Sequence, residues 1–313
     1  MTQRAPLRTL NGQAIGAFAF GTMQYGGRAD KAASDAMYAE CRAAGLRHFD
    51  TAFVYTDGAS EEILGAQVAS EREAVFVASK VGYTEGAGAA NLQAQFETSR
   101  RRLNMDVIDL LYLHRFDENT DLRDTLHWFA EVKAKGEIRH VGLSNFAAWQ
   151  VMKAVHIAAE FDLTIDVLQP MYSLVKRQAE VEIFPMCADQ GILAATYSPL
   201  GGGLLTGKYT KGGQGRLSED KRYAERYGQT WMHECGAKLV ELANAHAVDP
   251  ATLAVAWTAA HATKPVPILS ARSVSQLRPS LAATNYVMPP EIYDQLETLS
   301  LRPAPATDRL EEA

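Results

Sequence analysis

The sequence predicts a (β/α)8 TIM barrel, an α/β fold, with an N-terminal β-hairpin and extra C-terminal helices. The first observation is that eight short apolar runs each precede a helical pattern. The second is that these runs are continuous rather than alternating in polarity, which is typical of strands buried on both faces of a parallel sheet. The third is length, because such a barrel usually takes ~250 residues and 313 leave room for additions. We therefore expect residues 1–313 to form one domain.

The hairpin is predicted by Asn11-Gly12, which stands between short apolar segments from Leu7 to Ala17. An Asn-Gly pair accepts the left-handed backbone that a tight β-turn requires. The eight strands are then expected at Ala17–Met23, Arg47–Asp50, Val75–Lys80, Val107–His114, Ile138–Leu143, Ile165–Leu168, Ile192–Thr196 and Val266–Leu269.

Helical patterns alternate with these strands. Gly45 and Gly136 follow the first and the fourth helix as terminators, and Asp249-Pro250 is a natural helix start. A long glycine-rich passage separates the seventh strand from its helices and is expected at 201–228. The helices themselves are expected at 31–44, 59–69, 91–104, 120–135, 147–161 and 178–190, in two stretches around 249–250, up to about 285, and from 290.

Two nucleotide-binding alternatives are weaker. A doubly wound open sheet normally carries GxGxxG after its first strand, whereas Gly86-Ala87-Gly88 comes late and lacks the third glycine. The segment from Gly202 to Lys208 satisfies GxxxxGK, but Tyr209 stands where a P-loop needs Ser or Thr for magnesium. A nucleotide triphosphatase is therefore disfavoured.

Composition narrows the class of partner. A net charge of -6 argues against a nucleic-acid or an anionic-membrane partner. Cys41, Cys187 and Cys235 fall in no metal-binding spacing, so we expect buried thiols in a reducing compartment and no metal site. No apolar run reaches ~18 residues, and the N-terminus lacks a signal-like apolar stretch. A cytoplasmic protein is the expectation.

Four ionisable side chains end or follow three consecutive strands. Asp50, Lys80 and His114 each close a run otherwise poor in charge, and Tyr55 follows Asp50 by five positions. In barrel enzymes the C-terminal ends of the strands form the active site. Each residue alone could be structural, as a turn cap, a core cover or a solvated strand end. The set of four on one rim favours a functional site.

The chemistry of this set suits a carbonyl group. A phenol with a pKa near ~10 is a weak acid, and an adjacent ammonium lowers that pKa. A buried lysine tends to lose its proton, so a carboxylate such as Asp50 is needed to keep Lys80 charged. A neutral histidine could orient a carbonyl oxygen. No side chain donates hydride, so the set implies a nicotinamide cofactor.

Motifs along nearly the whole chain resemble those of the aldo-keto reductase family. They are Phe20-Gly21-Thr22-Met23, Phe49-Asp50-Thr51-Ala52 with Tyr55, Ser79-Lys80, Tyr112-Leu113-His114 with Asp117, Gly142-Leu143-Ser144-Asn145, Gln169, Tyr197-Ser198-Pro199-Leu200 and Gly203–Lys208. The resemblance implies a (β/α)8 barrel that reduces aldehydes or ketones with NADPH. It implies Tyr55 as general acid, Lys80 and Asp50 as the groups that tune it, and His114 as the group that orients the carbonyl.

The resemblance also implies a cofactor site. Ser144, Asn145 and Gln169 would hold the nicotinamide carboxamide, Tyr197 would stack on its ring, and glycine N–H groups near Gly203 would face the pyrophosphate. Arg272 would pair with the 2′-phosphate of NADPH, and departures from the family pattern nearby leave NADH open. The full cofactor set is Gly21, Thr22, Met23, Asp50, Ser144, Asn145, Gln169, Tyr197, Ser198, Pro199, Leu200, Gly203, Leu205, Lys208, Ser270, Arg272 and Gln276.

The substrate is a small carbonyl compound on this interpretation. Tyr25, Phe53, Phe116 and Phe146 follow strand ends and are expected to line its pocket. Two other functions stay open: a cofactor-binding regulatory subunit of the same fold with little turnover, and a Schiff-base aldolase with Lys80 as nucleophile. Whether the chain forms a homo-oligomer is also left open.

Overall fold

Eight parallel strands close into a barrel in the computed structural model, which describes residues 6–312. Each strand pairs with its neighbours in sequence, and β8 pairs with β1 to complete the ring. The predicted (β/α)8 fold is confirmed. The strands are β1 (Ala19–Gly21), β2 (His48–Asp50), β3 (Phe76–Val81), β4 (Ile108–Leu113), β5 (Ile138–Ser144), β6 (Val167–Gln169), β7 (Leu193–Thr196) and β8 (Val266–Leu269).

Helices follow the strands and form the outer layer. Asp30, Asp121 and Asp249 each begin a helix by accepting a backbone N–H, which satisfies one of the donors that a helix start leaves unpaired. The helices of the described chain are α1 (Lys31–Ala43), α2 (Ala59–Val68), α3 (Ala89–Leu103), α4 (Leu122–Ala134), α5 (Ala148–Ala159), α6 (Ile183–Gln190), α7 (Arg216–Glu219), α8 (Lys221–Tyr227), α9 (Thr230–Ala245), α10 (Pro250–Ala260), α11 (Val274–Ala282) and α12 (Pro290–Glu297).

The predicted hairpin is shorter than expected. Arg8 and Ala14 form a single antiparallel bridge around the turn, with Gly12 at φ 84°, and residues 6–17 form no strand. Leu7 and Ile15 instead pack into the apolar cluster that fills the barrel. The segment closes the N-terminal end of the barrel, so burial of these two side chains takes the place of a longer ladder.

Side chains of alternate strand positions fill the barrel interior, as expected for a packed core rather than a pore. The ring of Tyr112 on β4 reaches across to β5, where a Cβ on Gly142 would overlap it. A second, larger apolar cluster lies between the strands and the helices and includes Phe20, Phe49 and Leu111. Apolar packing therefore surrounds each strand on both sides, which explains the continuous runs in the sequence.

The passage after β7 contains more structure than the sequence predicts. Within the glycine-rich passage expected at 201–228, the chain forms short 3-10 turns and then α7 and α8. Glycine-rich composition conceals these helices because their few turns carry no sustained apolar period. No helix within residues 6–312 is long and apolar enough to cross a membrane.

His48 is a fully buried histidine at the start of β2. Its ring lies 5.1 Å from the ring of Phe76, and both of its nitrogens lack a hydrogen-bond partner within the described chain. Burial, with a smaller contribution from the charge of Lys80, lowers the pKa of His48 from 6.5 to about 3. The imidazole is therefore neutral in the folded protein at neutral pH.

We predict that His48 makes the fold sensitive to acid. The unfolded chain binds a proton on this group near pH 6.5, whereas the folded protein resists it down to about pH 3. Stability should therefore fall as the pH drops through this window, by roughly 5 kcal/mol at most. Urea unfolding at a series of pH values should show a shallower slope for His48→Leu than for the parent.

His246→Leu is the matched control for that experiment, because this histidine is exposed at the end of α9. It should leave the slope unchanged. An identical pH dependence in His48→Leu and the parent would contradict the assignment.

Candidate active site at the C-terminal rim of the barrel

A buried lysine joins the predicted acid and the predicted carboxylate. Lys80 Nζ donates to Asp50 Oδ1, to the Thr51 carbonyl at 2.8 Å and to the Tyr55 hydroxyl at 3.2 Å. Lys80 has no exposed surface, and Asp50 is 2% exposed. The parallel register places Asp50 beside Ala78, two positions before Lys80, so the two side chains point to the same interior. The structure brings the three predicted residues together.

Burial and charge act in opposite directions on this group. Burial alone would lower the pKa of Lys80, but Asp50 and Tyr55 together raise it above 10.5. Burial raises the pKa of Asp50, and the lysine opposes that rise. The ammonium is thus retained because the carboxylate compensates it, as the sequence indicates.

Tyr55 differs in part from the expectation. Burial raises its pKa above 10, and the charge of Lys80 opposes this rise without overcoming it. The phenol therefore holds its proton at neutral pH. Lys80 remains placed to stabilise the phenolate that forms once the proton leaves.

Gln169 completes the hydrogen bonding of Asp50. Its amide nitrogen donates to Asp50 Oδ2 at 2.8 Å, so both carboxylate oxygens have a donor. Gln169 ends β6 on the far side of the barrel from β2, and it is 3% exposed. The sequence suggests this residue for the nicotinamide carboxamide; the structure adds a contact with the carboxylate that sequence reasoning missed.

His114 follows β4 and lies against aromatic rings. Its ring centroid is 6.0 Å from that of Tyr55 and 4.8 Å from that of Tyr83. Burial, then the charges of Lys80 and Arg115, lower the pKa of His114 well below 6.5. The imidazole is neutral at pH 7, so one of its nitrogens carries a proton and can donate while the other can accept.

The polar residues predicted for the carboxamide form one connected group. Asn145 stands at φ 58° and donates from its amide to the His114 carbonyl at 3.0 Å and to Ser144 Oγ at 3.1 Å. The Tyr197 hydroxyl donates to Asn145 Oδ1 at 2.8 Å. Ser144 Oγ donates to the Gln169 carbonyl at 3.2 Å. The ends of β5, β6 and β7 therefore share a single hydrogen-bonded surface.

The glycine turn after β7 is built differently from the expectation. Gly201, Gly202 and Gly203 all have positive φ, as the glycines allow. The N–H groups of Gly201 and Gly203 donate to the carbonyls of Ser198 and Leu200 at 2.9 Å. These two N–H groups are used within the turn and are not free for a phosphate, so the contact of the segment Gly203–Lys208 with the pyrophosphate stays a prediction. A Cβ on Gly203 would lie 3.1 Å from Lys208 Nζ, so the glycine leaves room for that lysine.

A cluster of cations stands beside this turn. Burial lowers the pKa of Lys208, the nearby Arg272 lowers it further, Glu219 opposes them, and Arg216 and Arg28 add to the lowering. The Glu219 carboxylate lies 3.0 Å from Arg28 and 3.6 Å from Arg272. Positive charges that weaken one another's ionisation in a partly buried cleft are stabilised by an anion. These residues fit the phosphate groups of a nicotinamide dinucleotide.

The remaining predicted cofactor residues border the same region. Gln276 Oε1 accepts from the Arg272 N–H at 3.4 Å, beside the start of α11. Thr22 is fully buried, and its hydroxyl donates to the Asp50 carbonyl, so its side chain does not face the cleft, whereas Met23 lines it. Five more residues lie at the ends or in the loops of β1, β7 and β8: Gly21, Ser198, Pro199, Leu205 and Ser270.

The four predicted pocket aromatics lie in three different settings. Phe116 and Phe146 pack edge to face at 5.4 Å, close to His114 and Asn145 in sequence. Tyr25 has no exposed surface and packs against Phe20 at 5.8 Å, so the structure places it in the core rather than at an opening. Its phenol ring is buried because the chain turns back between β1 and α1. Phe53 stacks on Arg102, at 4.8 Å.

Sequence reasoning missed the residues that α7 and α8 bring over the rim. A cleft of about 210 Å³ is lined by Met23, Gln24, Arg28, Arg216, Asp220, Arg222, Tyr223 and Arg226. Tyr223 contributes to the raised pKa of Tyr55, although less than burial does. Arg226 lowers the pKa of Tyr197, whereas burial raises it. The helix α8 therefore lies near the site. The sequence does contain a signal for this cleft. Three of its arginines lie within residues 216–226 of an acidic chain, and the fourth, Arg28, lies in an early loop.

Relatives of the chain match its sequence along most of their length. The aldo/keto reductase family model matches residues 17–300. Aflatoxin B1 aldehyde reductase member 2 of Homo sapiens is 33% identical over 288 residues, which cover 84% of this chain and 80% of that protein.

Two further relatives differ in what their names describe. A probable voltage-gated potassium channel subunit beta of Oryza sativa subsp. japonica is 30% identical over 296 residues, 88% of this chain and 89% of that protein. An uncharacterized oxidoreductase of Bacillus subtilis (strain 168), YrpG, is 30% identical over 308 residues, 92% of this chain and 93% of that protein.

We predict that Lys80 and Asp50 stabilise the fold only as a pair. Lys80→Met should leave a buried carboxylate without its counter-charge and lower the free energy of unfolding by about 3–5 kcal/mol. The double variant Lys80→Met/Asp50→Leu should lose much less than the sum of the single variants, because neither charge remains. Urea unfolding of the four proteins measures the coupling.

Lys221→Met, in which an exposed lysine of α8 is changed, is the control and should shift the midpoint little. Additive losses in the double variant would show that the two buried charges do not depend on each other.

Proposed function

The chain belongs to the aldo/keto reductase family, and we propose that it reduces an aldehyde or ketone to an alcohol with NADPH, Tyr55 serving as general acid. As a member of this family, the chain is an NAD(P)H-dependent oxidoreductase. The contact of one buried ammonium with both Tyr55 and Asp50 supports the proposed role of Tyr55 as acid.

Each side chain of the site has a separate role in the proposed carbonyl reduction. A nicotinamide held at the ends of β5 to β8 would supply the hydride for the carbonyl carbon. Tyr55 holds its proton at neutral pH and gives it to the carbonyl oxygen as negative charge develops there. Lys80, 3.2 Å from the phenol oxygen, stabilises the resulting phenolate. Neutral His114 can donate a hydrogen bond to the same carbonyl oxygen and orient it.

The cofactor would lie across the ends of β5 to β8. Ser144, Asn145 and Gln169 offer donors and acceptors for a carboxamide, and Tyr197, held by Asn145, offers a ring face. Lys208 and the cations around it would hold the phosphates. Arg272 favours NADPH because a guanidinium pairs well with the additional 2′-phosphate. A higher kcat/KM with NADH than with NADPH would contradict that role.

The cleft suggests the class of substrate. Arg28 and Arg216 lower the pKa of Lys208, so we assign them to the part of the cleft proposed for the phosphates. Arg226 instead lowers the pKa of Tyr197. The pKa of Arg222 is raised chiefly by Asp220, with a smaller effect of Tyr83, whose ring lies 4.8 Å from that of His114. Arg226 and Arg222 both line the cleft, and Arg222 is paired there with Asp220.

Aromatic side chains follow the ends of β4 and β5. Trp149 is 62% exposed and lies 5.8 Å from Phe116. Arginines in the cleft, together with aromatic side chains beyond neighbouring strand ends, would suit a carbonyl compound that carries a carboxylate or another anionic group on a hydrophobic frame. We therefore propose that the substrate is a carbonyl compound with an anionic group.

A regulatory role is the second candidate, favoured by the similarity to a probable potassium channel subunit beta. Such a role would need cofactor binding but little turnover. The complete contact set of Tyr55, Lys80 and Asp50 favours the enzyme, because cofactor binding alone has no use for a supported acid. An aldolase is disfavoured, since a buried lysine whose pKa is raised is a poor amine nucleophile.

We predict that Tyr55→Phe abolishes turnover and spares cofactor binding. The phenylalanine keeps the ring and removes the proton donor, so kcat should fall by about 100-fold or more. The dissociation constant for NADPH, followed by fluorescence, should change by less than about 3-fold. Tyr286→Phe, which alters a half-buried tyrosine after α11, is the matched control. Equal turnover in Tyr55→Phe and the parent would exclude Tyr55 as the acid.

We predict that Arg226→Met lowers the preference for anionic substrates. A charge-assisted hydrogen bond is worth roughly 1.5–3 kcal/mol, so kcat/KM for 4-carboxybenzaldehyde should fall by about 10-fold or more. The value for the neutral methyl ester of the same aldehyde should change by less than about 2-fold. Lys221→Met on the same helix should alter neither. Equal losses for the acid and the ester would contradict an anionic substrate.

A further inference from the structure

The turn that carries Tyr55 has an unusual backbone. Thr56, Asp57 and Gly58 follow it directly and all have positive φ, at 47°, 54° and 100°. Two successive residues with side chains in the left-handed region are unfavourable for L-amino acids. Such a turn persists only where its surroundings hold it. The direction in which the Tyr55 ring leaves the chain depends on this turn.

A guanidinium from α3 spans the turn from outside. Arg102 Nη1 donates to the Phe53 carbonyl at 3.0 Å, and Nη2 donates to the Asp57 carbonyl at 3.4 Å. These carbonyls lie two residues before and two residues after Tyr55. The guanidinium also lies 4.8 Å from the centre of the Phe53 ring. One rigid, planar group therefore fixes both ends of the segment that carries the acid.

Glycine at position 58 fits this arrangement for two reasons. Its φ of 100° suits glycine, and a Cβ there would overlap the guanidinium of Arg102. The approach of arginine to the backbone is therefore close enough to exclude a side chain.

Buried groups hold Arg102 itself in place. Its Nη1 lies 3.3 Å from Oε2 of Glu61, a residue of α2 with no exposed surface. The other oxygen, Glu61 Oε1, accepts from the Ser79 hydroxyl at 2.7 Å. Burial raises the pKa of Glu61, and Ser79, Ser99 and Arg102 oppose that rise. Ser79 precedes Lys80 on β3, so this chain of contacts joins the turn of Tyr55 to the strand that bears its ammonium.

We propose that Arg102 is a positioning residue for Tyr55, an inference that rests on the proposed role of Tyr55 as acid. The guanidinium holds the left-handed turn, and Glu61 with Ser79 ties that guanidinium to β3. The phenol oxygen is thereby kept 3.2 Å from Lys80 Nζ. Arg102 has no contact of its own with the phenol, so it acts through the backbone.

A second anchor holds the inner side of the same turn. The Thr56 hydroxyl donates to the Tyr25 carbonyl at 2.7 Å and accepts from the Ser60 N–H at 3.1 Å. Loss of Arg102 should therefore loosen the turn without unfolding the barrel. A displacement of the acid by a fraction of an ångström is enough to slow proton transfer strongly.

The experiment compares Arg102→Ala with Arg101→Ala, its exposed neighbour on α3. Arg102→Ala should lower kcat by about 10-fold or more while the carbonyl KM and the NADPH dissociation constant change by less than about 2-fold. Arg101→Ala should change none of them. Because Arg102 is 21% exposed, methylguanidinium should restore part of the lost kcat, and methylammonium should not.

Gly58→Ala provides a second variant, because it displaces the guanidinium while the arginine stays. Gly58→Ala should also lower kcat and leave the carbonyl KM nearly unchanged. Unchanged kcat in both variants, or a loss of kcat that only follows a loss of folded protein by circular dichroism, would overturn the proposal. Tyr55→Phe measured beside them separates the two claims: an active Tyr55→Phe refutes the acid itself, whereas an inactive Tyr55→Phe with a fully active Arg102→Ala refutes only the positioning role.

Discussion

The ion pair between Lys80 and Asp50 is the interaction on which the rest of the site depends. A buried ammonium is costly unless a carboxylate compensates it, and a buried carboxylate is costly unless donors surround it. Here each satisfies the other, Gln169 supplies the second donor to Asp50, and Tyr55 shares the ammonium. The phenol thus meets a fixed positive charge in a setting from which water is largely excluded. This is the condition under which such a charge most strongly stabilises a phenolate.

The barrel makes this pair possible because parallel strands end on one rim. β2 to β4 bring the acid, the ammonium and the neutral histidine, while β5 to β8 bring the polar and cationic groups proposed for the cofactor. Gln169 connects the two halves, since it ends β6 and reaches the carboxylate of β2. The outer helices contribute as well: α3 provides the guanidinium behind Tyr55, and α8 brings arginines toward the opening. The closed barrel fixes the positions of Asp50, Lys80 and His114, and the loops determine which molecules can reach these side chains.

The sequence predicted the residues whose environment is set by strand order. Asp50, Lys80 and His114 end apolar runs, so a strand count was enough to place them on one rim. It did not predict Gln169 bonded to Asp50, because that contact crosses the barrel. Nor did it predict a net rise in the pKa of Tyr55, since the degree of burial cannot be read from spacing. Tyr25 was misplaced because an aromatic after a strand can turn inward as readily as outward. The arginines of α7 and α8 were missed because they gather only when a glycine-rich passage folds back over the rim.

The ionisation of Lys80 tests the central claim most directly. Lysine labelled with ¹³C at Cε reports the charge of each ammonium through its chemical shift, and Lys80→Met assigns the resonance. The account predicts that the Lys80 signal stays that of a charged ammonium through neutral pH and does not titrate below its ordinary value of 10.5. A signal that loses its charge near neutral pH would show that burial overcomes the carboxylate. The phenol of Tyr55 would then lack the positive charge that its proposed role requires.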